Sequence, residues 1–371
     1  MSDKSAIEWT DSSWNPIVGC SIFSPGCARC YAMRMAARLE RINPTGHYAG
    51  TTKSSKAGAV WTGKVALAPD HILTQPLRWK KPRRIFVNSM GDLFHESIPD
   101  KWIDRVFAVM ALCPRYTFQV LTKRAERMQT FLSDVSARDR QIEYVAEFGG
   151  VYQQCVDHEL PLPNVWLGVS AERQREADER IPHLLNTPAA VRFVSCEPLL
   201  GPIDLKHLAA PRVIGVRSYD EYLDALLGER CSVDTGCMTK DDEPWLDWVI
   251  VGGESGPGAR PMYPDWARSL RDQCDAADVP FFFKQWGEYL PIGQSLPGYG
   301  KVHGATAVKP GRMKLHYGGT PERAPKHAFA ERGVEFASTS DGRLTFHVGK
   351  KAAGRLLDGK EHNEFPRAEA R

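Results

Sequence analysis

The sequence lacks any long hydrophobic run. No segment of the 371 residues approaches the roughly 18 consecutive apolar residues that a membrane-spanning helix requires. The N-terminal stretch MSDKSAIEWTDSSWNP also has no apolar core of the kind found in secretory signal peptides. We therefore expect no membrane association and predict a cytoplasmic protein.

The sequence also has little net charge and no regular set of cysteines. Its 48 Lys and Arg residues nearly balance its 45 Asp and Glu residues, so the net charge of +3 neither requires nor excludes a nucleic-acid partner. The nine cysteines are odd in number and unevenly spaced, which indicates reduced thiols rather than a disulfide framework. In a reducing compartment, clustered cysteines usually bind a metal or take part in catalysis.

What the sequence does contain, between residues 84 and 287, is an alternation of short apolar runs and amphipathic segments. The runs are nearly continuous and rich in β-branched and aromatic residues, which is typical of parallel strands covered on both faces. They are RIFVNSM, YTFQVLT, NVWLGVS, VRFVSCE, LDWVIVGGE and VPFFFKQ. Intervening segments such as IPDKWIDRVFAVMALCP and YPDWARSLRDQCDAADVP are predicted crossover helices. With a seventh strand near the cysteines, the pattern predicts an α/β fold, either a full or partial (β/α) barrel or, alternatively, an open doubly wound sheet.

The predicted barrel occupies residues 1–290 and includes an N-terminal cysteine loop. Residues 207–244 separate two strand candidates by more than an ordinary loop, so we interpret them as an insertion. Residues 291–371 are predicted to form a C-terminal extension, with a hairpin at GVEFASTSDGRLTFHVG and a final helix at KKAAGRLLDGKEHNEFP.

Polar residues follow each strand candidate. Because the carboxyl ends of parallel strands meet at one edge of a sheet, these residues are expected to line a common cleft. They are Asn88, Ser89 and Asp92, then Thr122, Lys123 and Arg124, then Ser170 and Glu172, then Glu197, then Glu254 and Ser255, and finally Lys284, Gln285 and Trp286. Lys284 and Glu197 directly adjoin buried runs, where a solvated loop residue is not expected, so we predict that they are catalytic residues.

Three cysteines gather in the stretch GCSIFSPGCARCYAM, where Cys20, Cys27 and Cys30 have the spacing C-x6-C-x2-C. A structural zinc site requires a fourth ligand, and His47 could complete a Cys3His set. Cys231 and Cys237 in the insertion could add a minor contact. The alternative is an iron–sulfur cluster in which three thiolates leave one iron open for catalysis. A helix starting near Tyr31 would direct its N-terminal amides at that anionic cluster.

Further motifs along almost the whole chain resemble those of a known family. They are WTDSSWNPIVGC, CARCYA, GDLFH, LTKRAERM, VWLGVSAE, EPLLGPI, WVIVGGESGPGARPM, FFFKQWG and KKAAGRLLDGKEHNEFP. Together they are similar to a phage and prophage protein family of unassigned activity with a three-cysteine motif. The cysteine loop resembles that of the radical S-adenosylmethionine superfamily, although the usual spacing there, C-x3-C-x2-C, is three residues shorter.

The resemblance implies a cofactor set and a role for several residues. Cys20, Cys27 and Cys30 would bind a [4Fe–4S] cluster whose open iron chelates S-adenosylmethionine. The remaining cofactor-binding candidates are strand-end residues: Asp92 for the methionyl amine, Ser170 and Glu172 for the ribose, and Glu254. Such enzymes take an electron from a donor and generate a 5′-deoxyadenosyl radical, which abstracts hydrogen from a substrate.

Basic segments bear on the substrate. Lys123, Arg124 and Arg127 follow the third strand of the predicted sheet, and RWKKPRR, residues 78–84, places Trp79 among cations. Basic runs with aromatic residues can hold a nucleic-acid backbone, and a solvated charged face is the alternative interpretation of such a run.

The resemblance to the phage family favours nucleotide or nucleic-acid modification or repair by an iron–sulfur enzyme of the radical S-adenosylmethionine type. One alternative is a zinc- or cluster-stabilised nucleic-acid-binding protein without catalysis. The other is a barrel enzyme that uses no S-adenosylmethionine, with Lys284 and Glu197 as acid and base.

Overall fold

The computed structural model describes residues 5, 7–56, 58–151, 154, 159–209, 221–232, 236–238, 244–291, 294–296, 300–309, 312–317, 336–338 and 344–366. The chain divides into two compact units. The first comprises Met1–Ser170, Asp178–Ser195 and Ala209–Asp247, and the second comprises Ala171–Ala177, Cys196–Leu208 and Trp248–Arg371. The division into residues 1–290 and 291–371 stays a prediction.

The described elements alternate in type along much of the chain. The strands are β1 (Ser12–Trp14), β2 (Ile17–Val18), β3 (Thr52–Ser55), β4 (Gly58–Trp61), β5 (Ala66–Leu67), β6 (Arg84–Val87), β7 (Thr117–Thr122), β8 (Val165–Ser170), β9 (Val191–Cys196), β10 (Leu208–Ala209), β11 (Glu221–Asp224), β12 (Glu229–Ser232), β13 (Gly236–Met238), β14 (Trp248–Gly252), β15 (Phe281–Gln285), β16 (Tyr289–Pro291), β17 (Ser295–Leu296), β18 (Gly300–Lys309), β19 (Arg312–Tyr317), β20 (Phe336–Ser338) and β21 (Leu344–His347). The α-helices are α1 (Tyr31–Ile42), α2 (Asp70–Leu73), α3 (Asp100–Ala111), α4 (Ala125–Leu132), α5 (Ala137–Glu147), α6 (Gln174–Leu185), α7 (Pro264–Ala277) and α8 (Lys350–Ala353).

The main sheet has seven strands in the order β1-β6-β7-β8-β9-β14-β15. The pairs β1–β6, β6–β7, β7–β8, β8–β9 and β14–β15 are parallel. All five residues of β14 are buried, as expected for a strand covered on both faces. The six strands predicted from apolar runs and the seventh near the cysteines are therefore confirmed. The mixed α/β architecture is compatible with a partial β/α barrel.

In the first unit, α1 packs on the β3–β4 hairpin. Ala32, Met33 and Ala36 form the buried face of α1, and they share a hydrophobic cluster with Trp61 of β4 and with Met90. Because Ala side chains are small, the helix can approach the hairpin closely, and burial of this face fixes the orientation of the whole helix. The predicted helix after Cys30 is confirmed.

The insertion contains the four-stranded sheet β10-β11-β12-β13. Cys231, in β12, is disulfide-bonded. The prediction of reduced thiols is therefore wrong at this residue, and Cys231 is not available as a metal ligand. Within the insertion, residues 210–220, 233–235 and 239–243 lie outside the described part of the chain. None of the described helices combines the length and the hydropathy that a membrane-spanning segment requires.

The C-terminal segment differs from the sequence prediction. Strands β20 and β21 pair antiparallel, which confirms the hairpin, although its residues 339–343 lie outside the described part. The predicted final helix is wrong beyond Ala353, because α8 ends there and the chain continues in turns. Gly354, Asp358 and Gly359 have positive φ values, which a right-handed helix does not accommodate.

Asp358 ties this terminal segment to α7 within the second unit. Its carboxylate accepts hydrogen bonds from Arg268 Nε at 3.0 and 3.1 Å, from Arg271 Nη1 at 2.9 Å and from Gln294 Nε2 at 3.1 Å. Hydrogen bonding to Arg268 is the largest influence on the carboxyl group and holds the pKa of Asp358 well below its usual range.

We expect Asp358→Asn to lower the free energy of unfolding by about 1 kcal/mol at pH 5, a value discounted for partial solvent exposure. Because the pKa of Asp358 is depressed in the folded state, this stabilisation is present above the unfolded-state pKa and is lost as the pH falls below about 4. Urea denaturation at pH 5 and pH 3 measures it. The control is Asp275→Asn, which replaces an exposed carboxylate. If the free energy of unfolding changes equally with pH in wild type and in Asp358→Asn, the stabilisation does not come from Asp358.

Candidate functional site

The three cysteines lie on a loop whose ends are fixed by the backbone. Gly19 precedes the first of them with φ of +91°, and its N–H donates to the carbonyl of Met90 at 3.1 Å. A 3-10 helix, Pro25–Arg29, follows, and α1 begins at Tyr31, directly after Cys30. The sequence thus brings three thiols to the junction between a turn and a helix N-terminus.

All three thiols are free, and Cys27 is buried whereas Cys20 and Cys30 are partly exposed. Burial raises the pKa of Cys20 to about 12, with a further increase from the carboxylate of Asp92 and a decrease from Arg124. Burial also raises the pKa of Cys30. The charge of Cys27 also raises the pKa of both Cys20 and Cys30.

Asp92, which follows β6, is buried and accepts four hydrogen bonds. Its Oδ1 accepts from Thr122 Oγ1 at 2.6 Å and from the N–H of Phe94 at 3.1 Å. Its Oδ2 accepts from the N–H of Lys123 and from Arg124 Nη1, both at 3.0 Å. The carboxylate therefore joins the polar ends of β6 and β7, as the strand-end argument predicts. Both oxygens are already engaged, and the methionyl-amine role of Asp92 stays a prediction.

The guanidinium of Arg124 connects these strand ends to the cysteine loop. Besides Asp92, it donates to Ser21 Oγ at 2.7 Å, to Glu96 Oε1 at 3.1 Å and to Cys20 Sγ at 3.7 Å. Burial disfavours its charged form, but the nearby anionic groups outweigh burial and raise the pKa of Arg124. A permanent positive charge thus lies beside the first thiol.

Ser21 also contacts the ring of His95, with Nε2 at 3.0 Å from the hydroxyl. The N–H of Ser97 donates to His95 Nδ1 at 3.1 Å, so Nδ1 accepts and Nε2 carries the proton in the neutral ring. Burial and the charge of Arg124 lower the pKa of His95. The sequence analysis missed Ser21, His95 and Glu96, although the motif GDLFHE following β6 holds two of them.

In the second unit, Glu197 and Lys284 form a largely buried ion pair. Lys284 Nζ lies 3.0 Å from Glu197 Oε1. Gly252 of β14 leaves room for this pair, because a Cβ atom there would lie 2.4 Å from Glu197 Oε1. The structure thus brings together the two residues predicted as acid and base, and their catalytic role stays a prediction.

Glu254 is held by a single arginine in the same unit. Its Oε2 accepts from the backbone N–H and from Nε of Arg260, both at 2.8 Å, and its Oε1 lies 2.5 Å from Arg260 Nη2. This bidentate pairing orients the carboxylate firmly. The predicted cofactor-binding role of Glu254 is not decided by this geometry.

Ser170 and Glu172, the candidates for the ribose, are both buried. The Ser170 carbonyl accepts from Arg180 Nη1 at 2.7 Å, and the Glu172 carbonyl accepts from the N–H of Leu200 at 2.8 Å. These bonds fix the backbone on either side of the end of β8. Ribose binding by the two residues stays a prediction.

The basic segment after β7 is not an open cationic patch. Arg124 is buried against Asp92, and Arg127 donates to Asp100 at 2.6 Å. Carboxylates from other elements therefore pair with both arginines, which the sequence does not show, and nucleic-acid binding by this segment stays a prediction. In the second predicted segment, Arg84 likewise pairs with Asp11.

The donor chemistry of the cysteine loop suits a soft metal centre. Among the described residues, no three His, Cys, Asp or Glu side chains already stand in the arrangement of a metal site. His47, the predicted fourth zinc ligand, packs its ring on Tyr48 at 4.6 Å between centroids. The loop offers three free thiols, and thiolates favour zinc and iron–sulfur clusters. The fit of the loop to a cluster thus rests on its donor set.

The comparison with known families agrees with the extent of the motifs. A family model matches residues 4–366, nearly the whole chain. The chain belongs to the DUF5131 family. That family is described as a protein of unknown function, so membership assigns no reaction to this DUF5131 chain. No curated protein and no solved structure matches it.

Proposed function

We propose that this DUF5131 protein is an iron–sulfur enzyme of the radical S-adenosylmethionine type, in which Cys20, Cys27 and Cys30 hold a [4Fe–4S] cluster. The observation that supports it is the joint placement of three free thiols and the buried Arg124 guanidinium. Three thiolates leave one iron of a four-iron cluster without a protein ligand, which is an arrangement for binding a cofactor.

The residues around the thiols suit an anionic group. Arg124 Nη1 donates to Cys20 Sγ at 3.7 Å, so a thiolate at Cys20 would accept a charge-assisted hydrogen bond. The N-terminus of α1, directly after Cys30, adds the favourable end of a helix dipole. Asp92 holds Arg124 in place through the bond from Arg124 Nη1 at 3.0 Å, in addition to its proposed role toward the methionyl amine.

The cofactor residues follow from the same proposal. When bound, the cluster and S-adenosylmethionine would supply a 5′-deoxyadenosyl radical that abstracts hydrogen from the substrate. The proposed cofactor-binding side chains are Asp92, Ser170, Glu172 and Glu254. Lys284 and Glu197 are proposed to hold and move a proton, since the ion pair keeps a cationic and an anionic group 3.0 Å apart in a largely buried place.

The proposed substrate is a nucleotide or a nucleic acid. The resemblance to a phage and prophage family favours a nucleotide or nucleic acid. A nucleic-acid-binding protein stabilised by zinc or a cluster, without catalysis, is the competing function. The two differ in the metal bound and in the cleavage of S-adenosylmethionine, and both differences can be measured.

Anaerobic reconstitution tests the proposal. The protein is incubated with ferrous iron, sulfide and a thiol reductant, desalted, and analysed for iron, sulfide and zinc. We expect about four irons and four sulfides per chain with visible charge-transfer absorbance, and release of 5′-deoxyadenosine after S-adenosylmethionine and dithionite are added. A colourless protein that retains one zinc ion per chain would contradict it.

We expect Cys27→Ala to lose most of the bound iron and all 5′-deoxyadenosine formation while the barrel stays folded. The reason is that a cluster needs each of its three thiolates, whereas Cys27 is one small side chain in the protein core. Iron content and circular dichroism measure the two effects. The buried Cys113→Ala variant is the matched control and should keep its iron. Unfolding of Cys27→Ala would favour a structural metal instead.

A further inference from the structure

The exposed face of α1 and the adjoining loop carry an unusual share of the exposed apolar residues. Of the eight large hydrophobic side chains exposed in the described part of the chain, five lie between residues 22 and 42, with 41–69% exposure. They are Ile22, Phe23, Tyr31, Met35 and Ile42. Tyr31, Met35 and Ile42 lie on one side of α1, next to the side that carries its buried alanines. A concentration of exposed apolar residues of this kind marks an interaction site.

The same face is strongly basic. Arg29, Arg34, Arg38 and Arg41 are exposed, and none of them forms an ion pair with another described residue. Glu40, the acidic residue of α1, instead accepts from the N–H of Gly50 at 2.7 Å. Four uncompensated positive charges therefore border the apolar residues. We name these four arginines and the five apolar residues the α1 face.

The composition of the α1 face favours a protein over a nucleic acid. Aromatic residues, Met and Arg are enriched at protein interfaces, whereas Lys and acidic residues are depleted. Single-stranded nucleic acids instead stack their bases on open aromatic rings. The guanidinium groups of Arg124 and Arg180 already lie over the Phe23 ring, at 4.8 and 5.4 Å from its centroid, where a base would have to stack. Met35 and Ile42 have no aromatic ring on which a base could stack.

The α1 face also adjoins the thiols. Phe23 packs against the guanidinium of Arg124, which in turn lies 3.7 Å from Cys20 Sγ. The helix itself begins at the residue after Cys30. A partner seated on this face would therefore be close to the proposed cluster.

We infer that the α1 face docks an acidic one-electron carrier protein, an inference that rests on the proposed function. The carrier gives one electron to the cluster, so the carrier is oxidised by one electron and the cluster is reduced by one. No proton or covalent bond is transferred. Arginines steer an acidic partner by charge complementarity, and the modest apolar surface suits the small interface of a transient redox complex.

The test uses a purified acidic flavodoxin carrying flavin mononucleotide as the probe. Its affinity is measured by titration, first with the protein that has not been reconstituted and then with the reconstituted protein, at low and high salt. The variant Arg34→Glu/Arg38→Glu/Arg41→Glu reverses three charges of the face. Lys101→Glu/Arg175→Glu/Lys360→Glu is the control, because it makes the same change in net charge at exposed residues of other segments.

We expect salt-sensitive binding of the probe, weakened about tenfold or more by the α1 variant and within about twofold of wild type in the control. The rate of cluster reduction by the flavodoxin should fall in parallel, whereas reduction by dithionite should be unchanged. Equal affinities in both variants would overturn the inference. So would loss of binding to a single-stranded oligonucleotide in the α1 variant with unchanged flavodoxin affinity.

The failures of the two proposals are distinguishable. If the cluster forms and dithionite yields 5′-deoxyadenosine, but flavodoxin does not bind, the docking inference fails alone. If no cluster forms, the proposed function fails, and the α1 face loses its role as a site for an electron donor even where it binds the probe.

Discussion

Replacing Arg124 with methionine is expected to lower the free energy of unfolding by about 3–5 kcal/mol. The guanidinium is buried and reaches Asp92 and Glu96 as well as Ser21. Its removal leaves the buried Asp92 carboxylate with hydrogen bonds but without a compensating charge. Breaking one partner of a buried pair costs far more than the pair contributes, because the remaining charge stays away from water.

Arg127→Met is the matched control. Arg127 lies three residues further on and also pairs with a carboxylate at 2.6 Å, but Asp100 is half exposed. A solvent-exposed ion pair contributes at most about 1 kcal/mol, so the two variants should differ by at least about 2 kcal/mol. Urea denaturation of the protein without cluster measures both, which keeps metal binding out of the comparison.

A double variant separates charge burial from packing. In Asp92→Asn/Arg124→Met no buried carboxylate is left without its cation, so we expect part of the lost stability to return relative to Arg124→Met alone. If the double variant instead loses as much stability as the two single variants together, the effect of Arg124→Met arises from lost packing and hydrogen bonds rather than from the ion pair.

The strands could be predicted from the sequence because their signal is local. Strands such as β7 and β14 are buried on both faces, and a nearly continuous run of apolar residues is enough to predict such a strand. The meeting of Asp92 with Thr122 was also foreseeable, since both follow neighbouring parallel strands. Sequence reasoning thus located the polar strand ends and the cysteine loop.

What sequence reasoning missed depends on contacts between distant residues. From the sequence, Arg124 and Arg127 are expected to contribute to a basic patch, because no neighbouring residue indicates that Asp92 and Asp100 form ion pairs with them. The arginines of α1, in contrast, are exposed, and the sequence alone does not show this either. Their exposure follows from the packing of the other helix face on the β3–β4 hairpin, which is a tertiary fact.

The terminal helix was wrong for a more local reason. The segment after Ala353 is rich in residues with good helix propensity, but Gly354 and Gly359 interrupt it at positive φ. Ion pairs of Asp358 with α7 hold the turn instead. Propensity is a weak guide where such long-range contacts compete with it.

Gly19→Ala is expected to lower the free energy of unfolding by about 2–5 kcal/mol, from two separate causes. The φ of +91° disfavours any residue with a Cβ atom by about 1–2 kcal/mol. The added Cβ atom would also lie 2.1 Å from the backbone oxygen of Lys64, which must move, and such overpacking costs about 1–3 kcal/mol.

Gly63→Ala isolates the first cause from the second. Gly63 has a φ of +87°, close to that of Gly19, but a Cβ atom there meets nothing within 4 Å. The difference between the two variants in urea denaturation therefore measures the crowding against Lys64. Because Gly19 directly precedes Cys20, the crowded variant should also bind less iron on reconstitution, whereas Gly63→Ala should bind as much as wild type. Equal stability and equal iron content in the two variants would show that the loop yields without strain and that its backbone does not set the position of the first thiol.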